Sequence, residues 1–278
     1  MIPTRIVTSV ADRRDTILSV IRGATHEISL SLFRCNDEPI FEALADATAR
    51  GVAVHALITS RAKGGPKKLQ KLWSALERTG ASIAAYTDPV VKYHAKYLVA
   101  DDGPAVVASC NFTRKCFAKT CDAVVVTHDP AVVEGLRELM QADREGRRAP
   151  DTVTSKLVIG PERARRQITQ LVEEAAHRIR LIDPKASDPG LIALLNARRA
   201  SGLAVDIFGA KKIGELNSHG KIMLVDDRVA VVGSLALAAL SLDFRREVAI
   251  VVDEPAAVAD VQRLFESVED LTRADLQV

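Results

Sequence analysis

The sequence predicts an α/β fold of two similar lobes joined by a short linker. The chain has 278 residues, enough for two domains of ordinary size. Its two halves repeat one order of apolar strands and amphipathic helices. A charged segment containing glycine and proline, residues 144–152, separates the halves. We therefore expect a first lobe over 1–145, a linker over 146–153 and a second lobe over 154–278.

The repeated order is helix, strand, helix, strand. The segments are a helix at 15–23, a strand at 25–33, a helix ending at Arg50 and a strand at 52–58, and then a helix at 163–176, a strand at 176–184, a helix ending at Ser201 and a strand at 203–208. Because a crossover helix returns the chain in the same direction, this order predicts mixed, mostly parallel sheets flanked by helices. Two lobes folded alike should pack about a pseudo-twofold axis, with equivalent loops in one cleft.

The first half alone contains a further helix at 66–79 and a strand at 81–86, and then the halves match again. Both contain the pattern H-x-K-x4-D, formed by His94, Lys96 and Asp101 and by His219, Lys221 and Asp226. A serine follows each histidine by 15 residues, and an acid follows it by 28 residues; these are Ser109 and Ser234, and Asp122 and Glu247. A duplicated pattern of this length is poorly explained by chance.

These residue types suit phosphate chemistry. Imidazoles attack phosphorus and move protons, ammonium groups neutralise phosphate oxygens, hydroxyls donate hydrogen bonds, and carboxylates orient imidazoles. The repeated loops should face each other, so the sequence predicts one phosphate-handling site in the cleft between the lobes.

The two motifs resemble those of the phospholipase D superfamily, whose pattern is H-x-K-x4-D-x6-G-S-x-N. The first motif ends in Ser109 and Asn111, with Ala108 in place of the usual glycine. The second ends in Gly233 and Ser234, with Ala236 in place of the asparagine, which removes a hydrogen-bond donor. The resemblance covers nearly the whole chain, as two fused phospholipase D-like lobes.

The resemblance implies a role for each motif residue. His94 would attack phosphorus to form a covalent phosphohistidine and His219 would act as acid and base, although the sequence leaves the two roles open to exchange. The other catalytic residues would be Lys96 and Lys221 on the phosphate oxygens, Asp122 beside His219 and Glu247 beside His94, with Ser109, Asn111 and Ser234 hydrogen-bonded to the substrate phosphate. No metal and no cofactor are expected. We interpret Asp101 and Asp226 as structural acids that hold the turn after a strand.

The motif does not select the substrate. The resemblance favours phospholipid head-group hydrolysis or phosphatidyl transfer, as in cardiolipin synthase-like and phospholipase D-like proteins. A metal-independent nuclease is the alternative, since a basic stretch at 61–71 and the loop lysines Lys115, Lys119, Lys211 and Lys212 lie near the motifs. A noncatalytic phosphate-binding module is a third reading, motivated by Ala236.

Composition restricts the partners and the location. A formal net charge of +2 creates no field over the whole chain that would attract polyanions. The sequence contains no apolar run long enough to span a membrane, which predicts a cytoplasmic protein whose contact with a membrane, if any, is peripheral. With both motifs in one chain, the active site should be complete in a monomer.

Overall fold

The first lobe is built on a mixed sheet of seven strands. The computed structural model describes residues 3–61 and 65–275. The elements of this lobe are β1 (Arg5–Val7), α1 (Asp12–Gly23), β2 (Glu27–Leu32), α2 (Glu38–Ala49), β3 (Ala53–Thr59), α3 (Pro66–Glu77), β4 (Ser82–Tyr86), β5 (Lys92–Tyr93), β6 (Tyr97–Ala100), β7 (Ala105–Ala108), α4 (Arg114–Lys119), β8 (Thr120–Cys121), β9 (Val124–Thr127) and α5 (Pro130–Arg144). Within the described residues, the strand order of its sheet is β1-β9-β7-β6-β2-β3-β4.

The second lobe repeats this architecture. Its elements are β10 (Leu157–Gly160), α6 (Ala164–Glu174), β11 (Arg178–Ile182), α7 (Pro189–Ala200), β12 (Ala204–Phe208), β13 (Lys212–Ile213), β14 (Leu216–Ser218), β15 (Ile222–Val225), β16 (Val229–Gly233), α8 (Ala239–Asp243), β17 (Arg245–Val252) and α9 (Pro255–Asp275). The strand order of its sheet is β10-β17-β16-β15-β11-β12, which corresponds to β1-β9-β7-β6-β2-β3 of the first lobe. An equivalent of the edge strand β4 is not among the described strands of this order. The predicted α/β fold of two similar lobes is confirmed.

The sheets are mixed, but the prediction that they are mostly parallel is wrong. Among the described strand pairs of the two large sheets, the parallel ones are β2–β3, β3–β4, β11–β12 and β5–β17, and the others are antiparallel. The reason is the short connection from β6 to β7 and from β15 to β16, which reverses the chain and cannot form a crossover. Asp101 and Asp226 begin these turns in the left-handed region, with φ of 47° and 52°.

Proline marks the start of several helices on the sheet faces. Pro39, Pro66, Pro130 and Pro189 all lie in the first turn of α2, α3, α5 and α7. Proline is favoured there because its missing N–H has no partner in the first turn and its φ already suits a helix. The described helices include none that is both long enough and apolar enough to cross a membrane.

The lobes share a core and two reciprocal strand pairs. One apolar cluster contains side chains of both lobes, among them Tyr93, Val125, Ile222 and Phe265. Strand β5 pairs with β17, and β14 pairs with β8, both in parallel and both across the lobe boundary. This reciprocity is what a pseudo-twofold relation between the lobes requires.

Candidate active site

The pairing of β5 with β17 brings His94 to Glu247. Tyr93 lies opposite Arg246 in this register, so the residues that follow them are adjacent. The backbone N–H of His94 donates to the carbonyl of Arg246 over 2.9 Å, and the imidazole Nδ1 lies 2.9 Å from Glu247 Oε2. A strand register between the lobes therefore fixes a histidine of the first lobe on an acid of the second.

The mirror pairing brings His219 to Asp122. Ser218 of β14 lies opposite Cys121 of β8, and the next residues meet. His219 Nδ1 lies 3.0 Å from Asp122 Oδ1 and 3.1 Å from Oδ2. The contacts are thus crossed, since each lobe supplies the carboxylate for the histidine of the other.

The protonation of these pairs follows from their burial. Burial alone would raise the pKa of Asp122, but the hydrogen bond from His219 and that residue's charge hold the pKa at about 2. Burial would also raise the pKa of Glu247, but the charge of His94 and its hydrogen bond lower that pKa below its usual value. Burial lowers the pKa of both histidines, to about 3 for His94, although their carboxylates oppose the shift.

The tautomer of each imidazole is a consequence. An ionised carboxylate accepts hydrogen bonds and cannot donate them, so the Nδ1 atom that faces it carries the proton. In the neutral ring the Nε2 atom then carries the lone pair, and in His94 this atom lies 3.4 Å from Lys96 Nζ. Both His94 and His219 are thus arranged to attack or to accept a proton through Nε2.

Two buried lysines stand beside the histidines. Lys96 Nζ donates to the His94 carbonyl over 2.5 Å and lies 3.2 Å from that ring's Nδ1, and Lys221 Nζ donates to the His219 carbonyl over 2.7 Å. Lys96 is 1% exposed and Lys221 5%, and burial lowers the pKa of Lys96 to about 7. A bound phosphate would supply the counter-charge that favours the ammonium form of Lys96.

The matching family model decides the relationship of the chain. The family described as "Cardiolipin synthase, PLD-like domain" matches residues 17–144 and 177–269, which is most of the chain and both motifs. The chain belongs to this phospholipase D-like family. The resemblance stated from the two motifs is therefore confirmed.

Curated relatives match a part of the chain. Cardiolipin synthase A of Pseudomonas entomophila (strain L48) is 28% identical over 138 residues, which is 48% of this chain and 29% of that protein. Cardiolipin synthase A of Pseudomonas putida (strain KT2440) is 26% identical over 140 residues, with coverage of 49% and 29%. The chain thus aligns with less than one third of either relative's length.

Solved structures share the fold over nearly the whole chain. Phosphatidylserine synthase of Haemophilus influenzae Rd KW20 superposes with a TM-score of 0.72 at 13% identity, covering 97% of this chain and 86% of that one. Polyphosphate kinase from Porphyromonas gingivalis gives 0.77 at 17% identity, covering 95% and 50%. At such identities the likeness concerns the phospholipase D-like fold alone.

The hydroxyls of both motif serines form hydrogen bonds within the protein. The Ser109 hydroxyl donates to Asp122 Oδ1 over 2.6 Å and accepts from the Ala123 N–H over 3.0 Å. Ser234 Oγ accepts from the Val248 N–H over 3.0 Å. Both serines are fully buried, and the single Ser109 proton is committed to the carboxylate, so in this arrangement its hydroxyl orients Asp122 and has no proton for a phosphate.

Asn111 differs from the motif serines in its hydrogen bonding. Its Oδ1 is buried and has no hydrogen-bond partner among the residues that the structure describes. A buried amide end without a partner is costly unless a ligand or water completes it. At the equivalent place in the second phospholipase D-like motif, the Ala236 N–H donates to Ser241 Oγ over 3.0 Å. The two sides of the site thus differ in polarity.

Three neighbours of the catalytic groups escaped the sequence reasoning. Ser241 donates to Glu247 Oε1 over 2.7 Å, and Thr120 donates to Asp122 Oδ2 over 2.5 Å. The Phe33 ring packs on His94 with centroids 4.5 Å apart and lies 5.4 Å from Lys96 Nζ. The sequence could have predicted a place for Phe33 in the site, because Phe33 directly follows β2 and ligands bind at the carboxyl ends of strands in α/β sheets.

Asp101 and Asp226 lie away from the crossed pairs. Asp101 accepts the N–H groups of Thr25, His26 and Glu27 over 2.7–2.9 Å, and Asp226 accepts those of residues 176–178 over the same distances. They hold the entry of the neighbouring strands β2 and β11 in addition to starting their own turns. Burial opposes the shift, but these backbone N–H groups lower the pKa of Asp101 to about 2.

The electrostatics around Asp122 disfavour a metal cation. Ligand atoms of Cys116, Asp122 and His219 lie within 4.8 Å of one another. However, Asp122 already accepts hydrogen bonds from three side chains, and the Arg13 guanidinium lies 3.9 Å away. A cation here would displace these bonds and meet the positive charge of Arg13.

Part of the predicted basic region lies beside the site. Lys68, Lys71 and Lys115 line a cavity of about 520 Å³ together with Phe33 and Leu72. Residues 62–64 of the basic stretch lie outside the described residues. The exposed lysines at 119, 211 and 212 lie around the small sheet of β13, β14 and β8, near His219.

Proposed function

We propose that this phospholipase D-like chain is a phosphodiesterase that hydrolyses the head group of a phospholipid or transfers its phosphatidyl group. The observation that carries the proposal is the pair of crossed histidine–carboxylate contacts, each with a buried lysine beside it. The phospholipid substrate is supported by the family description and by the named synthases among the relatives. Since the chain spans less than a third of those relatives, their activity is transferred here as a proposal.

In the first step, Nε2 of His94 attacks phosphorus and the bond from phosphorus to the leaving oxygen breaks. The protonated imidazole of His219 gives its proton to that oxygen, so the head-group alcohol leaves neutral. Lys96 and Lys221 stabilise the nonbridging oxygens as negative charge grows on them in the transition state. The product is a phosphohistidine on His94.

In the second step, the now neutral His219 takes a proton from water or from an acceptor alcohol. The oxygen of that molecule attacks phosphorus, the phosphorus–nitrogen bond breaks, and His94 is released. Burial supports this distribution of roles. The side chain of His94 is 13% exposed and that of His219 27%, so the second imidazole is the one more open to an incoming acceptor.

The test is turnover of labelled phosphatidylglycerol in the presence of a chelator. We expect His94→Ala and His219→Ala each to abolish turnover, with His26→Ala, which alters an exposed histidine away from the crossed pairs, as the matched control. Acid-sensitive label on His94 should accumulate in His219→Ala with a substrate whose leaving group needs no proton. Full activity of His94→Ala would contradict the mechanism.

A nuclease that uses the same site is the second candidate. It is supported by the lysines around the cavity beside Phe33, since clustered lysines bind phosphate backbones. Cleavage of single-stranded or duplex nucleic acid without lipid turnover, lost in His94→Ala, would favour it. Binding of either substrate without turnover would instead favour the noncatalytic phosphate-binding module.

We further propose that the site is complete in one chain. Both histidines, both lysines and both carboxylates belong to the same polypeptide, and the strand pairs that align them are intramolecular. Activity should therefore scale linearly with protein concentration down to the nanomolar range. A concentration-dependent loss of specific activity, matched by dissociation in size-exclusion chromatography, would contradict this.

A further inference from the structure

Helices α4 and α8 occupy equivalent positions on the two sides of the site. Each directly precedes the strand segment that leads to the carboxylate of its lobe. Their inner sides touch the site, since Ser241 of α8 donates to Glu247 and Cys116 of α4 lies within 4.8 Å of Asp122 and His219. Their outer sides consequently flank the two catalytic pairs.

The outer sides of these helices have opposite character. Lys115 and Lys119, on α4, are exposed. The residues at the same distance from the second histidine are Leu240, which is 61% exposed, and Phe244, which is 49% exposed. A duplicated position has therefore become cationic in one lobe and apolar in the other.

The exposed apolar side chains form a local group, the apolar rim, defined by Val90, Leu240 and Phe244. Leu240 lies on α8, and Phe244 directly follows α8 and precedes β17, so both belong to the segment that leads to Glu247. Val90 is 65% exposed and lies two residues before Lys92, whose N–H donates to the Phe244 carbonyl over 3.0 Å, so the segment that carries Val90 approaches the end of α8. Three of the five large apolar side chains exposed in the described part of the chain thus gather beside one catalytic pair.

The other side of the site carries the cationic rim, defined by Arg114, Lys115, Lys119, Lys211 and Lys212. All five are exposed, and the Ser218 N–H donates to the Lys211 carbonyl over 3.0 Å, which holds the β13–β14 hairpin beside β8. Glu215 is the exposed acid on that hairpin and Glu38 is an exposed acid that lines the cavity with Lys115, so the five cations of the rim exceed these two acids by three charges.

We infer that the two rims together form a docking surface for an anionic lipid bilayer, an inference that rests on the proposed function. The apolar rim would enter the interface between head groups and acyl chains, and the cationic rim would contact anionic head groups. Both flank the catalytic histidines, so docking would present a lipid phosphate to the site. A nucleic acid would leave the apolar rim without a partner.

The experiment measures vesicle binding of the His94→Ala protein, which holds lipid without turning it over. Vesicles of phosphatidylcholine with phosphatidylglycerol are sedimented with this protein and with the same protein carrying L240S/F244S or K115Q/K119Q. The matched control is L271S, which removes an apolar side chain that is 42% exposed on α9. Circular dichroism and thermal unfolding establish that each variant is folded.

Each pair of substitutions should weaken binding in its own way. L240S/F244S should lower the partition coefficient at least tenfold, given the roughly tenfold effect of burying one such side chain. K115Q/K119Q should lower it roughly fivefold per lysine on anionic vesicles, with no change on pure phosphatidylcholine and with a loss of salt sensitivity. L271S should bind as the parent does. Unchanged binding of folded L240S/F244S would overturn the inference.

Turnover separates this inference from the proposed function. With His94 intact, L240S/F244S should lower the ratio of vesicle turnover to turnover of a monomeric short-chain phosphatidylcholine. If L240S/F244S weakens vesicle binding but the protein with His94 intact turns over no lipid, the docking surface is supported and the proposed function is refuted. If L240S/F244S instead dissociates a dimer and leaves vesicle binding intact, the apolar rim is a contact between copies of the chain and the inference fails.

Discussion

Arg246 joins the two lobes next to a catalytic residue, and its removal should destabilise the protein strongly. The guanidinium is 2% exposed. It donates to Asp143 Oδ1 over 2.8 Å, to the Gly160 carbonyl over 2.7 Å and to both carboxylate oxygens of Glu162 over 2.5 and 2.9 Å. Asp143 belongs to the last turn of α5 in the first lobe, whereas Gly160 and Glu162 follow the linker.

The expected cost of Arg246→Met follows from what is left behind. Asp143 is fully buried in its side chain and would lose the cation that it faces, and the Gly160 carbonyl would lose a donor. Breaking a buried ion pair from one side costs about 3–5 kcal/mol of the free energy of unfolding. In a chain of this size that lowers the melting temperature by roughly 10 °C.

The pH dependence has a definite sign. Burial raises the pKa of Asp143 to about 7, and the charge of Arg246 opposes that shift. Without Arg246 the pKa of Asp143 rises further, so the folded state holds a proton that the unfolded chain releases. Stability then falls as the pH rises through the folded pKa, and the deficit of Arg246→Met relative to the wild type should be smaller at pH 5 than at pH 8.

Urea denaturation of wild type, Arg246→Met, Asp143→Leu and the double variant measures the coupling. The double variant should lose less stability than the two single variants together, because the unpaired carboxylate is gone. A loss below 1 kcal/mol in Arg246→Met, or additive losses, would refute the assignment of this ion pair as the link between the lobes.

Three further predictions concern the site and its supports. Asp122→Asn should lower kcat by about 10³–10⁴-fold with little change in lipid binding, because an amide can hold His219 in the wrong tautomer. The dependence of kcat on pH, measured for the wild type and the variant, tests this expectation. Lys96→Met should abolish turnover. Because burial lowers the pKa of Lys96 to about 7, the folded wild type lacks, above that pH, a proton that the unfolded chain binds. In urea titrations between about pH 7 and 10, the free energy of unfolding of the wild type should therefore rise by up to about 1.4 kcal/mol per pH unit relative to the variant. Asp101→Ala should cost about 1–3 kcal/mol at pH 7 through its lost backbone hydrogen bonds, with a deficit that disappears as the pH falls through about 2, where the wild-type carboxyl is protonated. A deficit of Asp101→Ala independent of pH in thermal unfolding would contradict this last expectation.

Much of the fold was predictable because it is encoded in local patterns. Apolar runs and amphipathic periods located the strands and helices, and the repeat showed that one lobe would resemble the other. The direction of the strands was harder, since the sequence predicts a turn at Asp101 and at Asp226 but does not show that the strands on either side of each turn pair with each other. The chain reverses there through a left-handed backbone at Asp101 and Asp226.

The candidate site was predictable in its residue types and less so in its partners. The spacing of histidine, lysine and acid is the same in both halves of the sequence, so the repeat revealed it. The hydroxyl partners depend on tertiary packing instead. Asp122 recruits Thr120, two residues before it, whereas Glu247 recruits Ser241, six residues before it. The equivalent carboxylates of the two lobes therefore accept hydrogen bonds from hydroxyl groups at different positions in the sequence.

The crossed contacts explain why a duplicated chain can specialise. Neither lobe holds a complete histidine–carboxylate pair, so an isolated lobe is expected to be inactive, and the strand pairs β5–β17 and β14–β8 are needed to build either half. In a symmetric dimer of one motif, both histidines would have identical surroundings. The first step of phosphoryl transfer requires the two histidines to differ, because one must be an unprotonated nucleophile while the other is a protonated acid. A fused chain can differ between its halves in sequence, and this one does so at the acid itself, aspartate in one lobe and glutamate in the other, and at the amide of Asn111 that Ala236 lacks.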